Sequence, residues 1–513
     1  MTASHPPVLI AQIDTAQDET TGDFYYRDYA PGVAMSLCRD VFAVNLTSLH
    51  RNREEIMREA DVLALINLCD PDLLPVIRER RQRGKVTVYE LCDDLDDTPP
   101  GSPAYAYYRN PENSLLLKRI ARACDAVQFS SPELQRKYGS LNRRTTVFPN
   151  HILEIPPRRN HSNGEGMTVG WGGSLGHLDD MKKIADPLIR WILSRTDVKL
   201  HLMCADPIRD LFKALPEGRK KHFSTGSLWD YYRFLTTIDV GLAPLKDTPF
   251  NRSRSDVKFL EYAVHGVVPV VQASGPYLRS VRDGATGLFF RTGEELIARL
   301  DGLARDTSRR LALAEAARDY VVRERSQADH GSERVDFYRS LGRPIGSPDA
   351  PERFARLAEI PGAVRSGRHA LLNSTRFELL VRGGMLAADL ADPEKSAGMF
   401  REAAHIEPRS HMPHLFGAYV SGNVRESLKK AIALNPRSIK ARMLLGDVLS
   451  QDGEKVEAME CFSRAAEIYP NYELPYIKTA MILKELGMER EGVTLMRKAK
   501  ELLSNAFETP VNS

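Results

Sequence analysis

Short apolar runs alternate with amphipathic stretches through the first two thirds of the chain. In the first third these runs are Val8–Ile13, Val41–Leu46, Val62–Leu68, Val86–Leu91 and Ala126–Phe129. Strands buried on both faces are apolar throughout, and parallel strands need helical connections. The alternation therefore predicts a parallel sheet built from βαβ units, which we assign to a first domain over residues 1–155.

A polar stretch at Pro156–Gly166 predicts a linker, after which the alternation resumes. The second set of predicted strands is Met167–Trp171, Lys199–Met203, Val240–Pro244 and Val267–Val271. We expect a second Rossmann-like domain over residues 166–343 that closes with a long helix at Tyr320–Leu341. Two such domains form a cleft between the carboxyl ends of their sheets, which is where these folds bind ligands.

The last third of the chain has a helical pattern that repeats internally. Gly384, Phe400, Ala403 and Pro408 recur at the same spacing as Gly446, Phe462, Ala465 and Pro470. This pattern resembles the tetratricopeptide repeat, in which a small residue lets two helices approach and an aromatic residue fills the pair. We expect an all-α repeat solenoid over residues 376–508, with a shortened middle unit that ends at Pro436; the alternative is an ordinary helical bundle.

Composition narrows the class of protein. The chain has 513 residues, of which 42% are hydrophobic and 27% charged, as in folded globular proteins. The formal net charge of +3 is too small to favour nucleic acid as a partner. No apolar run is long enough to predict a membrane-spanning helix, and the six cysteines are scattered. We expect a cytoplasmic protein with at most peripheral contact with the inner face of the membrane.

The basic run Arg78–Lys85 is the candidate for such contact. Its cations suit anionic lipid head groups, but they also suit the carboxyl end of a helix on a solvated surface, which is the interpretation we favour.

Glycines lie at the end of the first predicted strand of the second domain. Thr168–Trp171 runs into Gly172, Gly173 and Ser174, and a helical pattern follows. Such a bend lets a phosphate approach the positive end of a helix. The sequence therefore indicates a diphosphate site here, although a glycine turn of purely structural origin has the same pattern.

The stretch from Asp239 to Val271 carries the most specific pattern. It contains Asn251, Arg254, Ser255, Lys258 and Glu261, followed by Gly266-Val267-Val268-Pro269. The order of these pieces resembles nucleotide-sugar-dependent glycosyltransferases of the two-Rossmann GT-B architecture, and in particular family 4. The resemblance covers residues 8–341 and is strongest in the second domain.

The resemblance implies a role for each of these residues. Glu261 holds the position of a glutamate that binds the ribose hydroxyls of the donor. Asn251, Arg254, Ser255 and Lys258 lie where side chains meet the diphosphate and stabilise it as a leaving group. The alternative for Lys258 and Glu261, which are three residues apart, is an exposed ion pair on one helix face.

Two departures from the family pattern affect the expected chemistry. The family places a second glutamate eight residues before Glu261, where this chain has Ser253. Near the glycine bend, His177 and Asp180 replace the usual arginine and lysine. We expect His177 to donate to a phosphate or a sugar hydroxyl while Asp180 holds its ring, or else to cap a helix beside a solvated aspartate. The resemblance implies a retaining displacement.

In the first domain, the run Tyr89–Asp97 ends a predicted strand in a group of carboxylates. Asp93 or Asp94 is a candidate for orienting an acceptor hydroxyl or accepting its proton. The alternatives are a divalent cation held by Asp94 and Asp96, which we do not favour, and a solvated acidic loop. Tyr25–Arg27 either lines an acceptor groove or packs against other residues inside the protein.

The sequence thus predicts a glycosyltransferase with His177, Asp94 and Lys258 as catalytic residues. The donor-binding residues are predicted as Gly172, Gly173, Ser174, Asp180, Asn251, Arg254, Ser255, Lys258 and Glu261. No metal or cofactor is expected beyond the nucleotide sugar, which is a substrate. A glycan or protein is the expected acceptor, and the helical repeats are expected to bind a protein partner. The rival hypotheses are a sugar-nucleotide epimerase of the same architecture and a non-catalytic scaffold.

Overall fold

The structure is a computed structural model, and it describes residues 5–15, 20–100, 102, 104–159 and 166–508. The first domain contributes six parallel strands, and every strand predicted in this part of the chain is confirmed. They are β1 (Val8–Asp14), β2 (Val41–Thr47), β3 (Val62–Ile66), β4 (Val86–Leu91), β5 (Ala126–Phe129) and β6 (Thr145–Val147).

Helices connect these strands on both sides of the sheet. Asn110 and Ser131 begin two of them by accepting hydrogen bonds from the amides of Glu112 and Leu134, which would otherwise lack a partner. The helices are Gly22–Phe24, a π-helical turn at Tyr25–Tyr29, Ala30–Leu37, Arg53–Glu59, Leu73–Gln82, Tyr105–Arg109, Pro111–Ala123 and Pro132–Tyr138.

The second domain has a six-stranded parallel sheet. Its strands are β7 (Met167–Gly172), β8 (Val198–Met203), β9 (Lys220–Phe223), β10 (Val240–Ala243), β11 (Val268–Gln272) and β12 (Leu288–Phe290), in the spatial order β12-β11-β10-β7-β8-β9. The edge strands β9 and β12 were not predicted, because one is polar and the other has three residues. The helices are Leu178–Leu193, Asp206–Arg209, Leu228–Leu235, Pro249–Ser253, Val257–Val264, Tyr277–Ser280, Gly293–Arg305 and Thr307–Glu324.

The predicted helix Tyr320–Leu341 is wrong, because the chain bends at Arg325 and returns to the first domain. The amide of Ile152 donates to the carbonyl of Arg325 at 2.8 Å, and the amide of Gln327 donates back to Ile152 at 2.7 Å. A 3₁₀ turn at Gln327–His330 and a helix at Gly331–Arg339 follow. On this helix Arg334 donates to Glu90 of β4 at 2.9 Å, so the helix packs on the first domain. The chain therefore passes between the two domains twice, once on entering the second domain and once on returning.

A hairpin beyond the second domain completes the first sheet. Its strands are β13 (Ala363–Ser366) and β14 (His369–Leu372), and the sheet order is β13-β14-β2-β1-β3-β4-β5-β6. The side chain of His369 meets the amide oxygen of Asn45 of β2 at 2.8 Å. The predicted architecture of two Rossmann-like domains followed by a helical region is confirmed, but this hairpin was not foreseen.

The C-terminal region consists of paired helices. A Cβ on Gly384 would lie 2.9 Å from the ring of Phe400, and one on Gly446 would lie 2.5 Å from Phe462, so both glycines allow close helix contact. The first helix of the middle unit is short. The helices are Arg376–Asp389, Pro393–Ile406, Met412–Phe416, Val424–Leu434, Ile439–Gln451, Lys455–Ile468, Glu473–Glu485 and Glu489–Glu508. An earlier helix, Ala350–Ala358, packs on β2 through Phe354 and Phe42. The assignment of the paired helices to the tetratricopeptide repeat stays a prediction.

These helices dock on the first domain, partly through the basic run Arg78–Lys85. Arg78 donates to the carbonyl of Ile468 at 2.8 Å, and Arg119 pairs with Glu473 at 2.5 Å. Arg80 is buried and donates to the carbonyl of Ala60 at 2.9 Å. Arg81 and Lys85 also donate to backbone carbonyls. The run is therefore largely engaged within the protein and is not the solvated surface that we favoured. Within the described ranges, no helix is both long and apolar enough to cross a bilayer.

Candidate active site

A cavity of about 740 Å³ lies between the two Rossmann-like domains, at the carboxyl ends of their strands. The first domain lines it with residues that follow β1 and β4, including Asp23, Tyr26 and Asp93. The second lines it with residues that follow β7 and with the start of the helix Val257–Val264. The volume is that of a typical small-molecule site, and the position is the one that doubly wound sheets use for ligands.

The glycine bend forms part of the cavity wall. Gly173 and Ser174 line it, whereas Gly172 lies behind. A Cβ on Gly172 would lie 2.8 Å from the ring of Tyr231, so packing alone requires a glycine there. The amide of Gly173 already donates to the carbonyl of Met203 at 3.0 Å. The Gly173 amide is therefore already engaged by the protein and is not available to a ligand.

His177 lines the cavity, and its Nδ1 lies 2.8 Å from the carboxylate of Asp180. Burial, with help from the Arg254 cation, lowers the pKa of His177 to about 4, so the ring is neutral at pH 7. Because Asp180 accepts from Nδ1, the neutral ring presents Nε2 as an acceptor. That arrangement suits a sugar hydroxyl rather than the phosphate that we also considered.

Asp180 and Asn251 lie behind the wall and fix its shape. The Asp180 carboxylate accepts from the amide of Lys246 at 2.7 Å and from the side chain of Asn251 at 3.3 Å. Asn251 also donates to the carbonyl of Lys246 at 3.0 Å. The structure thus places these two predicted donor-binding residues as supports for His177 and for the turn before Arg254.

Arg254 and Lys258 bring two cations to the cavity. The Arg254 guanidinium lies 5.4 Å from the ring of Phe250, and no carboxylate of the described residues forms an ion pair with it. Lys258 Nζ donates to the carbonyl of Gly172 at 2.5 Å and to the hydroxyl of Tyr231 at 3.0 Å. Burial lowers the pKa of Lys258 to about 8. Cations that lack a carboxylate partner are ready to bind an anion.

Glu261 presents a carboxylate to the same cavity and is 4% exposed. Its Oε1 accepts from the hydroxyl of Tyr26 in the first domain at 3.1 Å, and burial raises its pKa. Since Lys258 donates to Gly172 and Tyr231, the exposed ion pair between Lys258 and Glu261 is not the arrangement found. Ser255 also lines the cavity and accepts from Asn150 at 3.0 Å.

The acidic run presents Asp93 to the cavity and turns Asp94 away from it. Asp94 is buried and accepts from the hydroxyl of Tyr138 at 2.7 Å and from Lys137 at 2.5 Å. The predicted catalytic Asp94 therefore lies in a structural network, and it is the neighbouring Asp93 that faces the cavity. Asp96 pairs with Lys118 at 2.9 Å, which leaves neither member of the Asp94 and Asp96 pair free for a cation.

In the run Tyr25–Arg27 after β1, Tyr26 and Arg27 line the cavity, whereas the ring of Tyr25 packs edge-on against that of Trp229, with 5.8 Å between their centres. Sequence reasoning missed Tyr231, whose ring lies 4.3 Å from Lys258 Nζ. The one available signal was the capping box of Ser227 and Asp230, which begins the helix that carries this tyrosine.

Comparisons with solved structures give distant similarities. Anabaena HepE in complex with UDP and glucose matches 65% of this chain and 100% of its own, at 14% identity and a TM-score of 0.48. Sucrose-phosphate synthase from Thermosynechococcus elongatus matches 65% of this chain and 99% of its own, also at 14% identity and 0.48. TarM, an S. aureus protein, matches 56% of each chain at 10% identity and 0.43. No protein-family model matches the sequence, and neither does any curated protein.

Proposed function

We propose that this protein is a glycosyltransferase that moves a sugar from a nucleoside diphosphate sugar to an acceptor hydroxyl. The observation that carries the proposal is the grouping of Arg254, Lys258 and Glu261 on one wall of the cleft cavity. Two cations match a diphosphate, and a buried carboxylate at the far end of the same wall matches the vicinal hydroxyls of a ribose.

In this proposal the diphosphate lies between the glycine bend and the two cations. The bond from the anomeric carbon to phosphate breaks while negative charge develops on the departing nucleoside diphosphate. Arg254 and Lys258 stabilise that charge as cations that are already in place before the bond breaks. The reaction needs no resident cofactor. His177, as a neutral acceptor, orients a hydroxyl of the transferred sugar.

The acceptor approaches from the first domain, whose residues Asp23, Tyr26 and Asp93 line the cavity. A glycan hydroxyl and a hydroxyl on a protein both fit this scheme. The helical region, docked on the first domain through contacts such as Arg119 with Glu473, is proposed to recruit the acceptor or a protein partner. Its surface is separate from the donor wall, so removing partner binding should leave donor binding intact.

The pKa of Lys258 gives the proposal a pH dependence. With a pKa of about 8, its ammonium is charged below pH 8 and loses its proton as the pH rises. A diphosphate binds the charged form, so affinity for UDP should fall about tenfold between pH 7 and pH 9, the loss expected one unit above that pKa. Isothermal titration calorimetry with UDP and GDP at both values measures this change.

Lys258→Arg is the matched control, since arginine keeps its charge throughout this range. Its affinity for the nucleotide should stay constant between pH 7 and pH 9. An equal loss of affinity in wild type and in this variant would show that another group is responsible. If neither UDP nor GDP binds to the wild-type protein at pH 7, the hypothesis of a non-catalytic scaffold replaces that of an enzyme.

The epimerase of the same architecture differs in needing no acceptor. Incubation of the protein with UDP-glucose alone, followed by analysis of the sugar, separates the two enzymes. A transferase releases UDP slowly by hydrolysis, whereas an epimerase leaves an isomerised sugar. Isomerisation without net hydrolysis would overturn the proposed transfer reaction.

A further inference from the structure

We propose that Asp93 is the general base of the transfer reaction and that the sugar is transferred with inversion at the anomeric carbon. This inference rests on the proposed function and goes beyond it, because it assigns the proton acceptor and the stereochemical outcome. It also departs from the retention that the family resemblance implies.

Asp93 differs from the other aspartates of its loop. Asp94 accepts from Tyr138 at 2.7 Å, Asp96 pairs with Lys118 at 2.9 Å, and Asp97 pairs with Lys137 at 2.7 Å. Asp93 lines the cavity, and no described residue donates a hydrogen bond to its carboxylate or pairs with it. Three carboxylates are thus engaged by other side chains, and the fourth lines the cavity where the acceptor is proposed to enter.

The backbone around Asp93 is held in place on both sides. The amide of Cys92 donates to the side chain of Asn67 at 3.2 Å, and the hydroxyl of Ser130 donates to the carbonyl of Cys92 at 2.8 Å. Asn67 has a left-handed backbone with φ of 52°, a conformation that few non-glycine residues adopt. On the other side, the bonds of Asp94 fix the chain. The backbone that carries the Asp93 carboxylate is therefore fixed, which helps to position a general base.

The charges that face Asp93 suit a base at neutral pH. Burial, together with Asp23 and Asp94, raises the pKa of Asp93 to about 6, against the opposing effect of Arg254 and Arg27. The group is then largely ionised at pH 7 and more basic than an ordinary aspartate. Among these neighbours, Arg254 belongs to the second domain and Asp93 to the first, so the base and the leaving-group cation reach one cavity from different domains.

In the proposed reaction the sugar is transferred in a single displacement. The acceptor oxygen loses its proton to the Asp93 carboxylate and forms a bond to the anomeric carbon. The bond from that carbon to the diphosphate oxygen breaks, and its electron pair leaves with the nucleoside diphosphate beside Arg254 and Lys258. In this reaction the acceptor attacks from the side of the first domain and away from the leaving group, which inverts the configuration.

The other candidate bases lie less favourably. His177 is on the same wall as the two cations, and Asp23 is exposed to solvent. Ser253, where the family resemblance calls for a carboxylate, is buried and donates to the carbonyl of Pro249 at 3.1 Å. That position therefore offers no carboxylate to the sugar.

The test uses the full chain with UDP-α-D-glucose as donor and methanol as a small acceptor. If another nucleoside diphosphate sugar raises the melting temperature more, that sugar replaces UDP-glucose. Proton NMR identifies the anomer of the methyl glycoside, and nucleotide release gives the rate. Wild type should form the methyl β-glycoside from the α-linked donor. Its rate should decline below about pH 6, as Asp93 takes up its proton.

Asp93→Asn should bind UDP with unchanged affinity. Its turnover of the donor, measured as formation of UDP, should be about 10²–10⁴-fold slower, which is the usual contribution of a general base. Azide has no proton to lose, so it should restore turnover of this variant at least about tenfold and give the β-glycosyl azide. A residue with only a structural role would show no such rescue. Asp97→Asn, in the same loop but paired with Lys137, is the matched control and should keep wild-type turnover.

Three results would overturn the inference while leaving the proposed function intact: a methyl α-glycoside as product, near-normal turnover of Asp93→Asn, or a slow variant that azide does not rescue. Failure of the wild-type protein to bind any nucleoside diphosphate would instead contradict the proposed function, and this inference with it.

Discussion

Replacing Arg254 with alanine is expected to lower kcat by about 10²–10³-fold, which is the usual cost of removing one preorganised charge-stabilising group. The guanidinium lines the cavity, packs on the ring of Phe250 at 5.4 Å and has no ion pair with any described carboxylate. Its charge is therefore available to the departing diphosphate. The rate of nucleotide release at saturating donor measures the effect.

Arg252→Ala is the matched control for this experiment. Arg252 lies two residues away, is exposed and pairs with Asp247 at 2.7 Å. The control removes an arginine side chain from the short helix that directly precedes Arg254 without touching the cavity, so kcat should stay within about twofold, as for most surface substitutions. Equal losses of activity in the two variants would show that the helix, and not the Arg254 charge, matters.

Replacing Glu261 with glutamine is expected to weaken binding of UDP about 10–100-fold. Hydrogen bonds to a charged group contribute about 1.5–3 kcal/mol, and the amide of glutamine replaces one acceptor with a donor. The carboxylate is 4% exposed, so solvent does not compensate for the loss. Calorimetric titration of wild type and variant with UDP measures the dissociation constants.

Two other ligands sharpen the test of Glu261. Inorganic pyrophosphate has no ribose, so its affinity should be nearly equal in wild type and in the variant. The diphosphate of 2′-deoxyuridine lacks one of the two vicinal hydroxyls, so wild type should bind it more weakly than UDP, whereas the variant should discriminate little. A loss of pyrophosphate binding that matches the loss of UDP binding would place Glu261 at the diphosphate, or in the fold, instead of at the ribose.

The sequence predicts most of the sheets because buried parallel strands are apolar throughout. Val86–Leu91 and Ala126–Phe129 are found with the predicted bounds. The pattern could not show β14, because its partner β2 lies more than 300 residues earlier and His369 pairs with Ala43 only in the folded chain. The bend at Arg325 could not be predicted for the same reason, because the backbone hydrogen bonds around it are made with Ile152, which is far away in the sequence.

For the site, the sequence predicts which segments meet but not which neighbouring side chain faces the cavity. Gly173, Lys258 and Glu261 follow from a glycine bend and a helix start, which are local features. The choice between Asp93 and Asp94 depends on Lys137 and Tyr138, which bind Asp94 and draw it into the protein. Tyr26 reaches Glu261 across the domain boundary, a contact that no local pattern encodes.

The most direct measurement is a crystal structure of the protein with UDP or GDP bound. We expect the diphosphate to lie against Arg254 and Lys258, and the ribose hydroxyls to lie within hydrogen-bond distance of the Glu261 carboxylate. A nucleotide bound outside the cleft, or one whose ribose and diphosphate avoid these three side chains, would contradict the account.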